Sequence, residues 1–245
     1  MKIIGIHQIN YFPWLGYFNK MAKSDLFVYL DEVQLTDRGV TARTHALTSA
    51  GKESFLTVGI NQKGHRNKKF SEIEINCESD WQIRQRNFLS GNYGKHPFFQ
   101  EVMSIIQPIF EGRFEFLREV NLLSINIIRN ILGITTPTVM QSSLDYPGDA
   151  RKDELMLALT KAADGDIYLS GNGARKYMEV EKFEKDGVGV FFLKFSPFVY
   201  PQRGLEEFVP GLSTLDLLFN LGLEGAKRAF WDNIQRAEEC FGGNA

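Results

Sequence analysis

The chain has 245 residues, a length that suits one large domain or two small ones and that buries enough surface to fold without a disulfide or a structural metal. Its 28 basic and 30 acidic side chains leave a formal net charge of −2, which argues against a dedicated nucleic-acid binder because such proteins usually carry a basic surface. The two cysteines lie far apart, which excludes both a cysteine-rich zinc module and a disulfide framework.

The cysteine usage fits a reducing, cytoplasmic location, and the apolar runs of the chain predict no membrane span. The N-terminus reaches the polar pair His7-Gln8 after a few apolar residues, too few for the core of a signal peptide. No stretch approaches the roughly 18 uninterrupted apolar residues that a spanning helix requires. Because linkers and repeats are also absent, we expect one continuous domain over residues 1–245.

The first thirty residues predict a strand, a helix and a second strand. A short β-branched run over residues 3–6 is followed by Pro13, which suits a first helical turn, and then by apolar residues at helical spacing. Residues 25–31 form an apolar run bounded by acids, which indicates a buried strand. This βαβ unit requires parallel strands and a right-handed crossover.

The middle of the chain predicts short strands and then a helical layer. Residues 32–45 are polar and turn-prone, whereas residues 54–60 and 70–75 have the composition of strands. A capping-box spacing at Ser79 predicts the start of a helical layer over residues 79–133. Gly133 is placed to cap the last helix of that layer at its carboxyl end.

Strands alternate with helices in the second half of the chain as well. Strands are predicted over residues 137–144, 167–169 and 188–195, with a helix over residues 153–163. Ser213 and Asp216 have the spacing of a second capping box, which predicts one more helix. We therefore predict an α/β fold with a mainly parallel, Rossmann-like sheet.

Polar side chains end the first two predicted strands. His7 and Gln8 follow the first strand, and Asp31 follows the second. Ligands of open parallel sheets bind beyond the carboxyl ends of the strands, so these residues would converge if the two strands are neighbours. A carboxylate beside the imidazole would orient it for general acid–base work. The alternative is that His7 and Asp31 only cap strand ends by bonding to backbone groups.

The segment after the first strand combines aromatic and amide side chains. The start of its helix offers free N–H groups to a phosphate, and the amphipathic aromatics could stack on a base or sugar ring, unless they simply pack in the core. The candidate contacts are Asn10, Tyr11, Trp14 and Tyr17. Residues 14–17 occupy the place of an H-x-G-H nucleotidyltransferase signature but lack both histidines, which argues against ATP-dependent adenylyl transfer.

Two further loops carry candidate ligand contacts. Arg38 and Arg43 could hold phosphate or carboxylate in two bonds, whereas the lysine-rich run over residues 63–69 is typical of a solvated loop. Backbone N–H groups around Gly171 and Gly173 could approach an anion, or the segment could be a plain turn. No motif for a metal centre is present, so no metal is predicted.

Several motifs together resemble the WbqC-like protein family of bacteria. They are HQINYFPWLGYFNK at residues 7–20, DEVQ at 31–34, YLSGNGA at 168–174, YPQ at 200–202 and LSTLDLLFN at 212–220. The resemblance covers residues 3–222 and adds Gln34, Ser170 and Gln202 to the candidate substrate contacts. Members of the family occur among genes for O-antigen and other surface polysaccharides, and some are proposed to attach glycine or another acyl group to an amino sugar.

The resemblance implies a transferase that forms an amide on an amino sugar, in particular a nucleotide-linked one. His7 would be the base and Asp31 would orient it, while Arg38 and Arg43 would bind phosphate or the acyl donor. The resemblance specifies no cofactor, and the candidates are a nucleotide or an activated acyl donor. Two alternatives stay open at this point: an adenylate-forming or nucleotidyl-transferring enzyme, and a non-catalytic protein that binds a nucleotide-sugar.

Overall fold

The computed structural model describes residues 1–35 and 40–241, with side chains described as far as residue 235. The strands are β1 (Ile3–Gln8), β2 (Leu26–Leu30), β3 (Arg43–Leu47), β4 (Glu53–Thr57), β5 (Thr138–Met140), β6 (Ile167–Gly171) and β7 (Gly189–Leu193). The helices are α1 (Leu15–Ala22), α2 (Trp81–Tyr93), α3 (Phe99–Glu111), α4 (Leu117–Leu132), α5 (Lys152–Ala162), α6 (Val180–Lys185) and α7 (Thr214–Phe241).

A five-stranded parallel sheet forms the centre of the molecule and confirms the predicted α/β class. Its strand order is β5-β2-β1-β6-β7, and every neighbouring pair is parallel. β1 therefore pairs with β2 as the predicted βαβ unit requires. Strands β3 and β4 form a separate antiparallel hairpin.

The sheet separates two hydrophobic cores because side chains alternate along each strand. Ile4 and Ile6 of β1 join the core formed with α5 and α6, which includes Phe183. The opposite face packs against α1 through Phe18 and Phe27. Helices α2, α3, α4 and α7 enlarge this second core, so the predicted helical layer over residues 79–133 is confirmed.

Gly133 ends α4 in the left-handed conformation with φ of 70°, which confirms its predicted role as a carboxyl-terminal cap.

The prediction of a strand over residues 70–75 is wrong. The Lys69 N–H donates to the Glu72 carboxylate at 2.9 Å and the Glu72 N–H donates to the Lys69 carbonyl, and these bonds close a 3-10 turn.

None of the helices among the described residues is long and apolar enough to cross a bilayer.

Candidate functional site

The carboxyl edge of the sheet opens between β1 and β6. Backbone pairing of these strands ends at Gly5 and Leu169, whereas β1 continues to Gln8 and β6 to Gly171. The helix that follows β1 packs on one face of the sheet, and the helix that precedes β6 packs on the other. Ligands of open parallel sheets bind at such a reversal, so this gap, called the switch crevice below, is the candidate site.

A buried lysine of α1 reaches into the switch crevice. The Lys20 Nζ donates a hydrogen bond of 2.6 Å to the Ile6 carbonyl and lies 5.6 Å from the centre of the Tyr168 ring of β6. The side chain is only 5% exposed. Burial disfavours its charged form and lowers the pKa of Lys20 from 10.5 to about 7, so a large share of the amine is neutral near physiological pH.

Sequence reasoning did not single out Lys20, although a signal was present. The lysine falls three residues after Tyr17 on the apolar face of α1, where helical spacing predicts burial. A lysine on such a face either extends its amine to solvent or keeps it buried with a shifted pKa. The structure shows the second arrangement.

His7 is the next-to-last residue of β1 and lies on the face that α1 covers. Its ring lies edge-on to the Tyr17 ring with centroids 4.8 Å apart, and Nδ1 is 3.2 Å from the Gln8 carbonyl. Since a carbonyl only accepts, Nδ1 is the protonated nitrogen and Nε2 carries the lone pair. Burial, with the Lys20 charge as a second cause, lowers the pKa of His7 to about 3, so the imidazole is neutral at physiological pH.

Asp31 does not contact His7 in the structure. Both of its carboxylate oxygens accept hydrogen bonds from Ser142, one from the backbone N–H at 3.0 Å and one from the hydroxyl at 2.6 Å. His7 is in register with Tyr29, so Asp31 lies two residues farther along the neighbouring strand and points toward the segment after β5. The predicted orienting contact between Asp31 and His7 is therefore not formed.

Three of the predicted contacts in the segment after β1 are buried. Asn10, Tyr11 and Tyr17 are at most 2% exposed. The Tyr11 hydroxyl donates to Gln85 at 2.8 Å, and the Tyr17 ring packs among core aromatics. Tyr11 and Tyr17 thus follow the core-packing alternative, and Tyr17 reaches the switch crevice only through its contact with His7.

Trp14 is placed differently, at the amino end of α1. Its side chain is 37% exposed and meets the Phe195 ring edge-on with centroids 5.3 Å apart. Phe195 follows β7, and β6 lies between β1 and β7 in the sheet. The aromatic pair therefore joins the segments that follow β1 and β7, on either side of β6, and we assign it to one side of the switch crevice. Part of the indole surface is exposed, as stacking on a ring would require.

The end of β6 supplies the opposite side of the switch crevice. Ser170 is buried, and the chain continues from Gly171 into a 3-10 turn that contains Gly173. A Cβ atom at either glycine would meet no atom within 4 Å, so space is open beside this backbone. Such space allows a ligand to approach the backbone N–H groups of the turn.

Four predicted contacts remain: Gln8 at the end of β1, and Gln34, Arg38 and Arg43, which follow β2 in the chain. Gln8 accepts a hydrogen bond from the Thr41 hydroxyl at 3.3 Å. Gln34 is exposed and forms a backbone bridge with Lys69. The Arg43 guanidinium stacks over the Phe55 ring at 4.2 Å on the hairpin. Arg38 lies outside the residues that the structure describes.

Gln202 belongs to a second polar centre, around Asp216 of α7. The Gln202 amide nitrogen donates to the Asp216 carboxylate at 3.1 Å, and the hydroxyls of Tyr93 and Tyr200 donate to the same group at 3.1 and 2.8 Å. Of the predicted capping box, the Ser213 half is present: its hydroxyl oxygen accepts the Leu215 N–H at 3.3 Å, and α7 begins at Thr214. The Asp216 half is not formed, because that carboxylate turns inward to these donors and to the Asn220 amide at 3.5 Å. Among the described residues, no three His, Cys, Asp or Glu side chains lie close enough to hold a metal ion.

Comparison with known proteins places the chain in a family. It is 32% identical over 225 residues to the uncharacterized protein Rv1507c of Mycobacterium tuberculosis, an alignment that covers 91% of this chain and 96% of that protein. No solved structure matches the chain significantly. A model of the WbqC-like protein family matches residues 8–228, which include both sides of the switch crevice and the Asp216 centre. The chain therefore belongs to the WbqC-like protein family.

Proposed function

We propose that the switch crevice is the active site of a transferase that forms an amide on the amino group of a small amino sugar, with Lys20 as the general base. The observation that carries this proposal is the buried Lys20 amine at the reversal of strand connections, with a pKa of about 7. A base is most effective when its pKa lies near the working pH, and Lys20 meets that condition whereas His7 does not.

The reaction assigned to the switch crevice is an acyl transfer. The sugar amine attacks the carbonyl carbon of an activated acyl donor, a C–N bond forms, and the bond from that carbon to the leaving group breaks with its electron pair on the leaving group. The proton lost by the amine goes to the Lys20 Nζ. The resulting ammonium keeps its hydrogen bond to the Ile6 carbonyl and faces the Tyr168 ring, which favours a cation.

His7 and Asp31 receive different roles from those that the sequence indicated. The neutral His7 ring presents Nε2 as an acceptor, so we assign it to orient the acceptor sugar through a hydroxyl or amine hydrogen. Asp31 holds the end of β2 against Ser142. We therefore assign general base action to Lys20, which lies one helical turn after Tyr17, whose ring contacts His7.

The surroundings of the switch crevice suit a nucleotide-linked substrate. Trp14 offers an exposed ring face, and the turn at Gly171 and Gly173 leaves room for phosphate oxygens beside its N–H groups. The family resemblance suggests an amino sugar of bacterial surface polysaccharide, such as O-antigen, as the acceptor. The acyl donor is a glycyl, other aminoacyl or acyl group in activated form.

A nucleotidyl-transferring or adenylate-forming enzyme is the second candidate. Gly16 lies in the first turn of α1, and a Cβ atom there would come within 2.3 Å of the Trp14 ring, so the indole packs directly on this glycine. That position corresponds to the glycine of the H-x-G-H signature. Such an enzyme would release pyrophosphate from a nucleoside triphosphate, which amide formation from a preactivated donor does not do.

Mass spectrometry of reaction mixtures tests the proposed function. Purified protein is incubated with nucleotide-linked amino sugars and a panel of acyl-thioester and aminoacyl-adenylate donors, and we expect the sugar to gain the mass of one acyl group. His7→Gln should raise KM at least about 10-fold with a smaller change in kcat, since it removes an orienting contact. Pyrophosphate release without acylated sugar would favour the second candidate, and ligand binding without any product would indicate a non-catalytic nucleotide-sugar binder.

A further inference from the structure

A cavity lies beside the Asp216 centre. It has a volume of about 170 Å³ and opens between the end of β3, the end of α2, the loop over residues 202–205 and the start of α7. None of the residues that line it belongs to the switch crevice. The cavity is therefore a separate candidate site, with its own chemistry.

The floor of this cavity carries a negative charge that lacks a cation. Asp216 is 2% exposed, and its hydrogen-bond donors are all neutral: the hydroxyls of Tyr93 and Tyr200 and the amides of Gln202 and Asn220. Within the described residues no lysine or arginine lies within ion-pair distance of this carboxylate. Hydrogen bonds from neutral donors stabilise a carboxylate but do not neutralise it, so the floor favours a positively charged group.

His96 adds a neutral acceptor to the same cavity. Its Nδ1 is 3.1 Å from the Tyr93 carbonyl, which makes Nδ1 the donor and leaves the lone pair on Nε2. Burial lowers the pKa of His96, which favours the neutral ring. The imidazole packs against the Tyr93 ring with centroids 4.8 Å apart and lines the cavity.

The mouth of the cavity carries the opposite charge. Lys95 and Arg203 both line it and both are exposed. Among the described residues neither cation has a carboxylate within 4 Å. Two uncompensated cations at an entrance attract an anionic group and repel a simple cation, while the Asp216 carboxylate below repels a simple anion.

We infer that this cavity binds a small zwitterion of the α-amino acid class, with its ammonium toward Asp216 and His96 and its carboxylate toward Lys95 and Arg203. The distribution of charge matches both ends of such a molecule, and it matches neither a free amine nor a free carboxylate. The site is distinct from the switch crevice and does not require that crevice to be catalytic.

Calorimetric titration of the purified protein tests this inference, with glycine, alanine, acetate, methylammonium and inorganic phosphate as separate probes. We expect saturable binding of glycine or alanine, at least about 10-fold tighter than acetate or methylammonium. Arg203→Ala and Lys95→Ala should each weaken amino-acid binding about 10-fold, because each removes a charge-assisted contact. Lys185→Ala, which removes an exposed cation far along the chain, is the matched control and should bind like the wild type.

Three outcomes overturn the inference. Acetate or phosphate binding as tightly as glycine would indicate a plain anion site at Lys95 and Arg203. Methylammonium binding as tightly as glycine would indicate a cation site at Asp216 alone. No binding of either amino acid at millimolar concentration, with the wild type folded by circular dichroism, would show that the cavity is not an amino-acid site. Because the charge variants are on the surface, the test does not depend on a variant at the buried Asp216.

Discussion

Replacing Lys20 with methionine is expected to lower the rate of amide formation by roughly two to four orders of magnitude, the usual contribution of a general base. Methionine keeps the length and the apolar stem of the side chain but cannot accept a proton. Lys52→Met changes an exposed lysine of the hairpin in the same way and should leave the rate unchanged. A Lys20→Met enzyme with wild-type kcat would remove Lys20 from the mechanism.

The pH dependence of kcat distinguishes Lys20 from His7 as the base. With Lys20 as the base, the rate rises with pH through about 7 and then levels off, because the neutral amine is the active form. With His7 as the base, the rate would already be level above about pH 5, since the pKa of His7 is about 3. Measurement of kcat from pH 5 to 10 with one saturating substrate separates these profiles.

The pH dependence of the free energy of unfolding is the measurement that distinguishes a loss of chemistry from a loss of folding in the Lys20→Met variant. The pKa of Lys20 is lower in the folded chain than the ordinary value of 10.5, so between pH 7 and 10.5 the unfolded chain binds more protons. The wild type therefore gains stability as pH rises through this window, and below pH 7 the full cost of burying the charge is present. The methionine variant should lack that dependence and should be no less stable at pH 7.

Asn121→Ala is expected to lower the free energy of unfolding by about 2–4 kcal/mol, the largest stability loss that we predict. The fully buried Asn121 amide nitrogen donates to the carbonyls of Ile9 and Thr41, each at 2.7 Å. Its removal leaves the Ile9 carbonyl without a donor among the described residues. That carbonyl belongs to the segment after β1, so the variant should also loosen the side of the switch crevice that Trp14 forms.

Urea denaturation followed by circular dichroism measures this effect. Asn126→Ala is the matched control, since Asn126 lies on the exposed face of the same helix α4 and its loss should change stability by less than about 0.5 kcal/mol. Equal stability of the two variants would contradict the structural role of Asn121. The same result would also show that the segment after β1 is held by its other bonds, such as the one that the Phe12 N–H donates to the Ser124 hydroxyl and the one that the Thr44 hydroxyl donates to the Phe12 carbonyl.

Local sequence patterns predicted most of the central sheet. The runs at residues 3–6, 25–31, 167–169 and 188–195 all lie in or around strands, because buried parallel strands are short, apolar and β-branched or aromatic. The strand β3 (Arg43–Leu47) was not predicted, because its first residues belong to the polar segment 32–45, whose composition indicates turns. There the buried Thr44 donates its hydroxyl to the Phe12 carbonyl, so a polar residue fits the inner face of β3.

The site was harder to predict because it depends on contacts between residues distant in sequence. The pairing of β1 with β2 followed from the βαβ unit, but the placement of β6 on the other side of β1 required the tertiary structure. That placement moves the reversal of connections away from Asp31 and toward Ser170. The role of Asp216 was also not predictable from local sequence. Its spacing from Ser213 indicates a helix cap, whereas its hydrogen-bond partner Tyr93 lies 123 residues away in the chain.

The most direct test of the account is a crystal structure of the protein with a nucleotide-linked amino sugar. We predict density for the ligand between the ends of β1 and β6, with the sugar amine within hydrogen-bond distance of the Lys20 Nζ and the phosphates beside Gly171 and Gly173. Ligand density on the Asp31 side of β1, or away from the sheet edge altogether, would contradict the assignment of the switch crevice as the active site.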